Sequence, residues 1–247
     1  MGNGRKSGLP KGVRRIMPLP KERIVALSKR SVATGYKLNP QGIRNNAQVN
    51  ALDTYIYTLE QYQAAMGESA DIISMAGGSL SLYKFNSSVA GDADTDGNIR
   101  ISSSRLIEIS VLRDTLPHEH THQLVNALVV KELGYAKGSP EYNSACRNAD
   151  MYRIINAEAL VKWKDYMKTV RGQNVDHITT TYEAAKLSGM RSYATKDYSW
   201  APKGSGIEIP TVAAEKFVDV GYSWSELRRQ SPYAYFVLQE IKNRINK

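Results

Sequence analysis

The chain holds one cysteine, Cys146, in 247 residues. A single thiol excludes an internal disulfide and any multi-cysteine zinc site. No run of about 18 apolar residues occurs, which excludes a membrane-spanning helix. The basic start, MGNGRKSGLPKGVRR, has no apolar segment behind it, so no secretory signal is expected. Lys6 stands where a myristoylation motif needs Ser or Thr. Aromatic residues are missing before Tyr36, and only four histidines are present. No internal repeat is found. From these absences a soluble chain, not exported by a standard route, is expected.

What is present is a large apolar share, 42%, enough for one packed domain. The net charge of +9 is unevenly spread. Residues 1–30 carry nine Lys or Arg against one acid, Glu22, so the rest of the chain is near neutral. Residues 1–40 are therefore expected to be a basic, flexible arm, with residues 41–247 forming the domain. Such an arm is most often solvated. Less often it docks, here through residues 5–30, on nucleic acid or another acidic surface. The lack of aromatics argues against base stacking by the arm.

Periodicity suggests a short basic helix over 21–33 and an amphipathic one starting near Asn46, with Val49, Leu52, Ile56, Leu59 and Tyr62 in steps of three and four. ADIISMAGG, SLSLYKFN and IRIS (99–102) are expected as strands, and GDADTDGN as a polar turn. LIEISVLRDTLPHEHTHQLVNALVVKELG reads as mainly helical. Further helices are expected over 142–170 and 179–189, in TVAAEKFVDVGY and in YAYFVLQEIKNRI. The stretch from Met190 to Pro210 is expected as a loop.

Three of the four histidines fall in TLPHEHTHQL. His118-Glu119-x-x-His122 puts two imidazoles one above the other on a helix, where they can share a cation. Glu119 lies about 100° around the helix, within reach of a water at that cation. His120 lies about 200° from His118, pointing away as a surface or second-layer residue. Pro117 is tolerated if the helix starts just before it; a helix continuing from Leu106 would kink there.

Zinc in a catalytic site takes three protein ligands and leaves a position open. The candidates for the third are His177, Glu158 and Glu215. Glu215 is preferred because Asp219 follows one turn later. One carboxylate can then bind the metal while the other fixes a ligand imidazole.

The pair His118-Glu119-x-x-His122 and Glu215-x-x-x-Asp219 resembles the gluzincin metallopeptidases. Tyr193-Ala194-Thr195 followed by Ala214-Glu215-Lys216-Phe217 is similar to the catalytic domain of anthrax lethal factor and to zincin domains of phage head-morphogenesis and toxin proteins. The resemblance covers roughly residues 95–245, with gaps. It implies an α+β fold: a mainly helical zincin-like metallopeptidase domain with a small twisted sheet and an active-site helix. It also implies one Zn2+ held by His118, His122 and Glu215, Asp219 in support, Glu119 as general base, and a peptide or protein substrate. A tyrosine would serve the oxyanion, assigned to Tyr193 although Tyr198 lies in the same loop. IRIS is expected as the edge strand that pairs with an extended substrate.

Asp92-x-Asp94-x-Asp96-Gly97 opens like a calcium loop, but Ser103 replaces the bidentate glutamate at its twelfth position. A hairpin turn is preferred there over Ca2+. Two alternatives to an enzyme stand beside the main one: a virion or other structural protein that keeps a zincin fold without turnover, and a nucleic-acid-associated protein acting through its basic arm. The cytoplasm, a virion or release by a non-standard route are all compatible with the chain.

Overall fold

The structure is a computed structural model, and it describes residues 21–85, 89–104 and 114–247. The fold is α+β and mainly helical, with one small mixed sheet. No helix among the described residues is long and apolar enough to cross a membrane.

The chain enters through α1 (Lys21–Ala33), turns at Gly35 and forms β1 (Tyr36–Asn39). Strand β2 (Gly78–Tyr83) pairs parallel with β1 and with β4 (Ile99–Ser102). Strand β3 (Gly91–Ala93) pairs antiparallel with β4, giving the order β1-β2-β4-β3. β1 alternates buried and exposed residues, and Tyr36 and Leu38 belong to the core. The expected boundary of the basic arm at residue 40 is therefore corrected. Residues 21–39 are part of the domain, and residues 1–20 lie outside the described residues.

The sheet corrects two further expectations. IRIS is strand β4 as expected, but β2 and β3 flank it, so among the described residues the edge strands are β1 and β3. ADIISMA is a helix, α3 (Ala70–Ala76). Ser69 caps it through the Ile72 N–H, and its apolar residues follow helical rather than alternating spacing: Ile72 and Ala76 are the buried pair. The first three residues of GDADTDGN, expected as a turn throughout, form β3, and Asp94–Asn98 closes the β3–β4 hairpin. Asp94 Oδ1 accepts from the Asp96 and Asn98 backbone N–H groups at 3.0 and 2.9 Å, and Arg100 engages Asp92 in a bidentate pair. Both carboxylates are thus committed to protein donors.

Helix α2 (Asn46–Met66) is capped by the Asn45 side chain and ends on Gly67 in the left-handed region. It lays Leu52, Ile56 and Leu59 into the core. Helix α4 (Thr115–Leu133) runs through the middle of the domain and is buried on nearly every face from Thr115 to Val129. Such a helix needs neighbours all round; α2 and α3 lie against it, as does α8 (Glu208–Asp219). It starts at Thr115, so Pro117 sits in its first turn without a kink. The Leu106 side of the expected helix lies outside the described residues.

The predicted helix over 142–170 is two, α5 (Pro140–Arg147) and α6 (Asp150–Thr169), because Ala149 adopts φ 55° between them. Helix α7 (Thr181–Leu187) carries a capping box made by Thr180 and Glu183. After α8, the short α9 (Trp224–Gln230) and α10 (Pro232–Ile245) complete the chain, with α10 packed along α6 and α8.

Candidate metal centre

Helix α4 turns His118 and His122 to one side, and their rings lie 5.3 Å apart. One ligand atom each from His118, Glu119 and His122 falls within a common 4.8 Å. The group can hold a metal ion. A cavity of about 400 Å3 opens over it, walled by β3, the stretch 193–200 and the start of α8. Gly91 is required in that wall: a Cβ there would lie 2.9 Å from the Thr115 methyl and 3.2 Å from Glu119 Oε1.

A second carboxylate completes the arrangement, and sequence reasoning missed it. Glu208, only 2% exposed, brings Oε2 to 3.3 Å from His118 Nε2 and 3.7 Å from His122 Nε2. Glu215, expected as the third ligand, is on the other side of the His118 ring, 2.8 Å from Nδ1. Seven residues are almost two full turns of helix, so Glu208 and Glu215 share one face of α8 and the His118 imidazole fits between them. Arg191 pairs with Glu215 from outside. Asp219, expected behind the ligands, is exposed in a surface cleft beside Lys216 and Gly189. The other candidates fall elsewhere: Glu158 binds Arg244, and His177 is exposed.

Each ring is fixed by its second nitrogen. His122 Nδ1 meets the Tyr152 hydroxyl of α6 at 2.9 Å, as His118 Nδ1 meets Glu215. Such contacts set ring orientation and tautomer. The Glu208 carboxylate is held as well. Thr211 donates to Oε2 at 3.0 Å, and Tyr198 donates to Oε1. The Tyr193 and Tyr198 hydroxyls are 3.0 Å apart. Because the one Tyr198 proton goes to Glu208, Tyr193 must donate to Tyr198 in this arrangement. Burial raises the Tyr193 phenol to about 12, so it keeps its proton at neutral pH.

The electrostatics follow from crowding buried carboxylates around two imidazoles. Burial alone would lower the His118 pKa, but hydrogen bonds to Glu208 and Glu215 outweigh it and raise it to about 10. Burial opposes ionisation of Glu208, yet His118 and His122 hold it well below the usual carboxylate range. Burial pushes Glu119 up, while the two histidines pull it down. Three buried carboxylates thus face two imidazoles, and a proton on His118 answers part of the excess. A divalent cation would answer it more fully, so the donor set fits one. Burial also pushes the Cys146 thiol, in the cavity wall, up to about 11. It is protonated at neutral pH and donates to Asn126 Oδ1 at 3.6 Å.

His120 points away from the centre as expected, but it is fully buried rather than superficial. Its Nδ1 is 2.6 Å from the Tyr36 hydroxyl and its Nε2 is 2.9 Å from Glu68. The back of α4 is thereby tied to β1 and to the turn after α2. Compared with protein-family models, with curated proteins and with solved structures, the chain matches none of them.

Proposed function

We propose that the chain is a zinc-dependent metallopeptidase in which His118, His122 and Glu208 hold the ion and Glu119 is the general base. The observation that carries this reading is the convergence of both Nε2 atoms on one Glu208 oxygen, with the buried Glu119 grouped with the same two histidines. Two imidazoles and one carboxylate, with a cavity over them, match the donor set of a catalytic zinc with an open position. Bound there, zinc supplies Lewis acidity, which lowers the pKa of a water and polarises a carbonyl.

The remaining work falls to the chain. Glu119, raised by burial, accepts the proton of the attacking water and returns it to the leaving amine. Glu215 and Tyr152 keep the two imidazoles turned toward Glu208. Tyr198 holds the Glu208 carboxylate in place, and Tyr193, whose proton rests on the Tyr198 hydroxyl, turns it to the carbonyl oxygen as charge develops there; such a donor is worth about 3 kcal/mol. Strand β3 lines the cavity, and its outer side, unpaired among the described residues, is offered to an extended peptide.

The test is Glu119→Gln. Zinc-loaded wild type is expected to cleave members of a random peptide library followed by mass spectrometry. The variant should bind one zinc but lose roughly 100- to 10,000-fold in rate. A wild type that binds one zinc and cleaves nothing would support the structural alternative instead.

A further inference from the structure

Helix α6 touches the metal centre through Tyr152 and carries Tyr166 fourteen residues further on. At 1.5 Å per residue that is about 21 Å away. A second hollow, of about 560 Å3, lies there between α6, the stretch after it and α9, lined by Tyr166, Arg171, Trp224, Arg228, Arg229 and Tyr235 among others. The Arg228 guanidinium is 4.6 Å from the Tyr166 ring centre and 5.5 Å from that of Tyr235. Arg171 lies 5.7 Å from the same Tyr166 ring, donates to its hydroxyl at 3.0 Å and to the Arg229 carbonyl at 3.0 Å. Two guanidiniums on one ring are no more than about 10 Å apart. Arg228 lies over the ring and Arg171 is tied to its hydroxyl, so the conformational freedom of both is already reduced.

Arg229 pairs with Glu226. Among the described residues, no carboxylate lies within ion-pair distance of Arg171 or Arg228. Arginines held this way without acidic partners present N–H edges to an anion, and Arg228 a planar face to another flat group. Trp224 and Tyr235 stand half-exposed at the same hollow.

We infer that this hollow binds a short stretch of single-stranded nucleic acid, with phosphates on Arg171 and Arg228 and bases stacked on the Arg228 guanidinium and on Trp224 and Tyr235. Charge alone would suit an acidic peptide equally. The interleaved aromatic and guanidinium planes suit bases, which every single strand presents. A regular duplex hides those faces. The inference does not depend on peptidase activity.

The test uses the full chain, a fluorescein-labelled ten-residue oligothymidylate and fluorescence anisotropy across 50–300 mM salt. Arg171→Gln with Arg228→Gln is expected to weaken binding at least about 10-fold near 100 mM salt. It should also flatten the slope of log K against log salt by about 1.4, two lost phosphate contacts on a single strand. Arg171→Lys with Arg228→Lys keeps the charge; it should retain most of the slope and still lose affinity several-fold. Tyr235→Leu should weaken binding without changing the slope. Unchanged affinity and slope in the Gln variant would overturn the inference, and would leave any binding to the basic residues 1–30. Equal affinity for a matching duplex or for a polyglutamate peptide would also overturn it, showing an unselective anion surface.

Discussion

Glu208→Gln and Glu215→Gln differ by one oxygen-to-nitrogen change each, on the same face of the same helix, and the geometry predicts unequal results. Glu208 reaches both Nε2 atoms, at 3.3 and 3.7 Å; Glu215 reaches one Nδ1, at 2.8 Å. Structural zinc sites bind with about 10–16 kcal/mol shared among four ligands, so one ligand is worth about 3–4 kcal/mol, or roughly 100- to 1,000-fold in affinity. Loss of a carboxylate that only orients a ligand histidine costs about 10- to 100-fold. Glu208→Gln should therefore weaken zinc by roughly ten times more than Glu215→Gln does. Competition against a chromophoric chelator at pH 7.5 measures both. Circular dichroism of the metal-free variants guards against unfolding. The reverse order, with Glu215→Gln losing zinc and Glu208→Gln keeping it, would refute the assignment and restore Glu215 as the third ligand.

Two further predictions concern stability. Burial, with Glu215 nearby, raises the Asp114 carboxyl from its ordinary 3.8 to about 6. A raised folded-state pKa means the folded protein binds the proton more tightly, so stability falls as pH rises through this interval and stays reduced above it. That shift corresponds to about 3 kcal/mol. Asp114→Asn in the metal-free protein should thus gain about 2–3 kcal/mol at pH 7.5 in urea unfolding and nothing below about pH 4; a gain that persists at pH 3.5 would exclude this cause. Gly206 sits at φ 65°, and a Cβ there would meet Asn156 Nδ2 at 2.6 Å and Ile209 Cδ1 at 2.9 Å. Gly206→Ala should cost about 1–3 kcal/mol in the same unfolding assay and weaken zinc, because the turn that delivers Glu208 must shift; a neutral result would contradict the close approach.

The helical half of the site was legible in the sequence because helical spacing alone pairs His118 with His122 and sets His120 apart. The far half was not, for identifiable reasons. Glu208 stands at the end of a Gly- and Pro-rich stretch, two residues before Pro210, and reads as loop. Yet Pro210 falls in the first turn of α8, where proline is tolerated. Once the helix is known to start at Glu208, the spacing Glu208-Thr211-Glu215 is a stripe at i, i+3 and i+7. That spacing was the available signal. The step from Glu215 to Asp219 competed with it and was also helical, but it leads outward to the surface. Strand β1 was hidden in four residues of a basic segment, where charge outweighed a short alternation of Tyr36 and Leu38.

The two carboxylates of α8 explain each other. Glu208 alone at two imidazoles would leave the His118 ring free to turn about its side-chain bonds. Glu215 alone would fix that ring but leave both Nε2 atoms without an acidic partner. With both present, seven residues apart on one helix, the ring has one orientation and the site has one anionic ligand aimed at it. The remaining side chains are held as well: His122 by Tyr152 of α6, Glu208 by Tyr198 of the preceding loop and Thr211 of its own helix, Glu215 by Arg191 of the same loop. Reorganisation on ion binding is thereby small, which is the condition for a preorganised site. It also follows that the proton on His118, held by Glu208 and Glu215, has to leave before an ion can take its place, so zinc uptake should release a proton that calorimetry in buffers of different ionisation enthalpy would count.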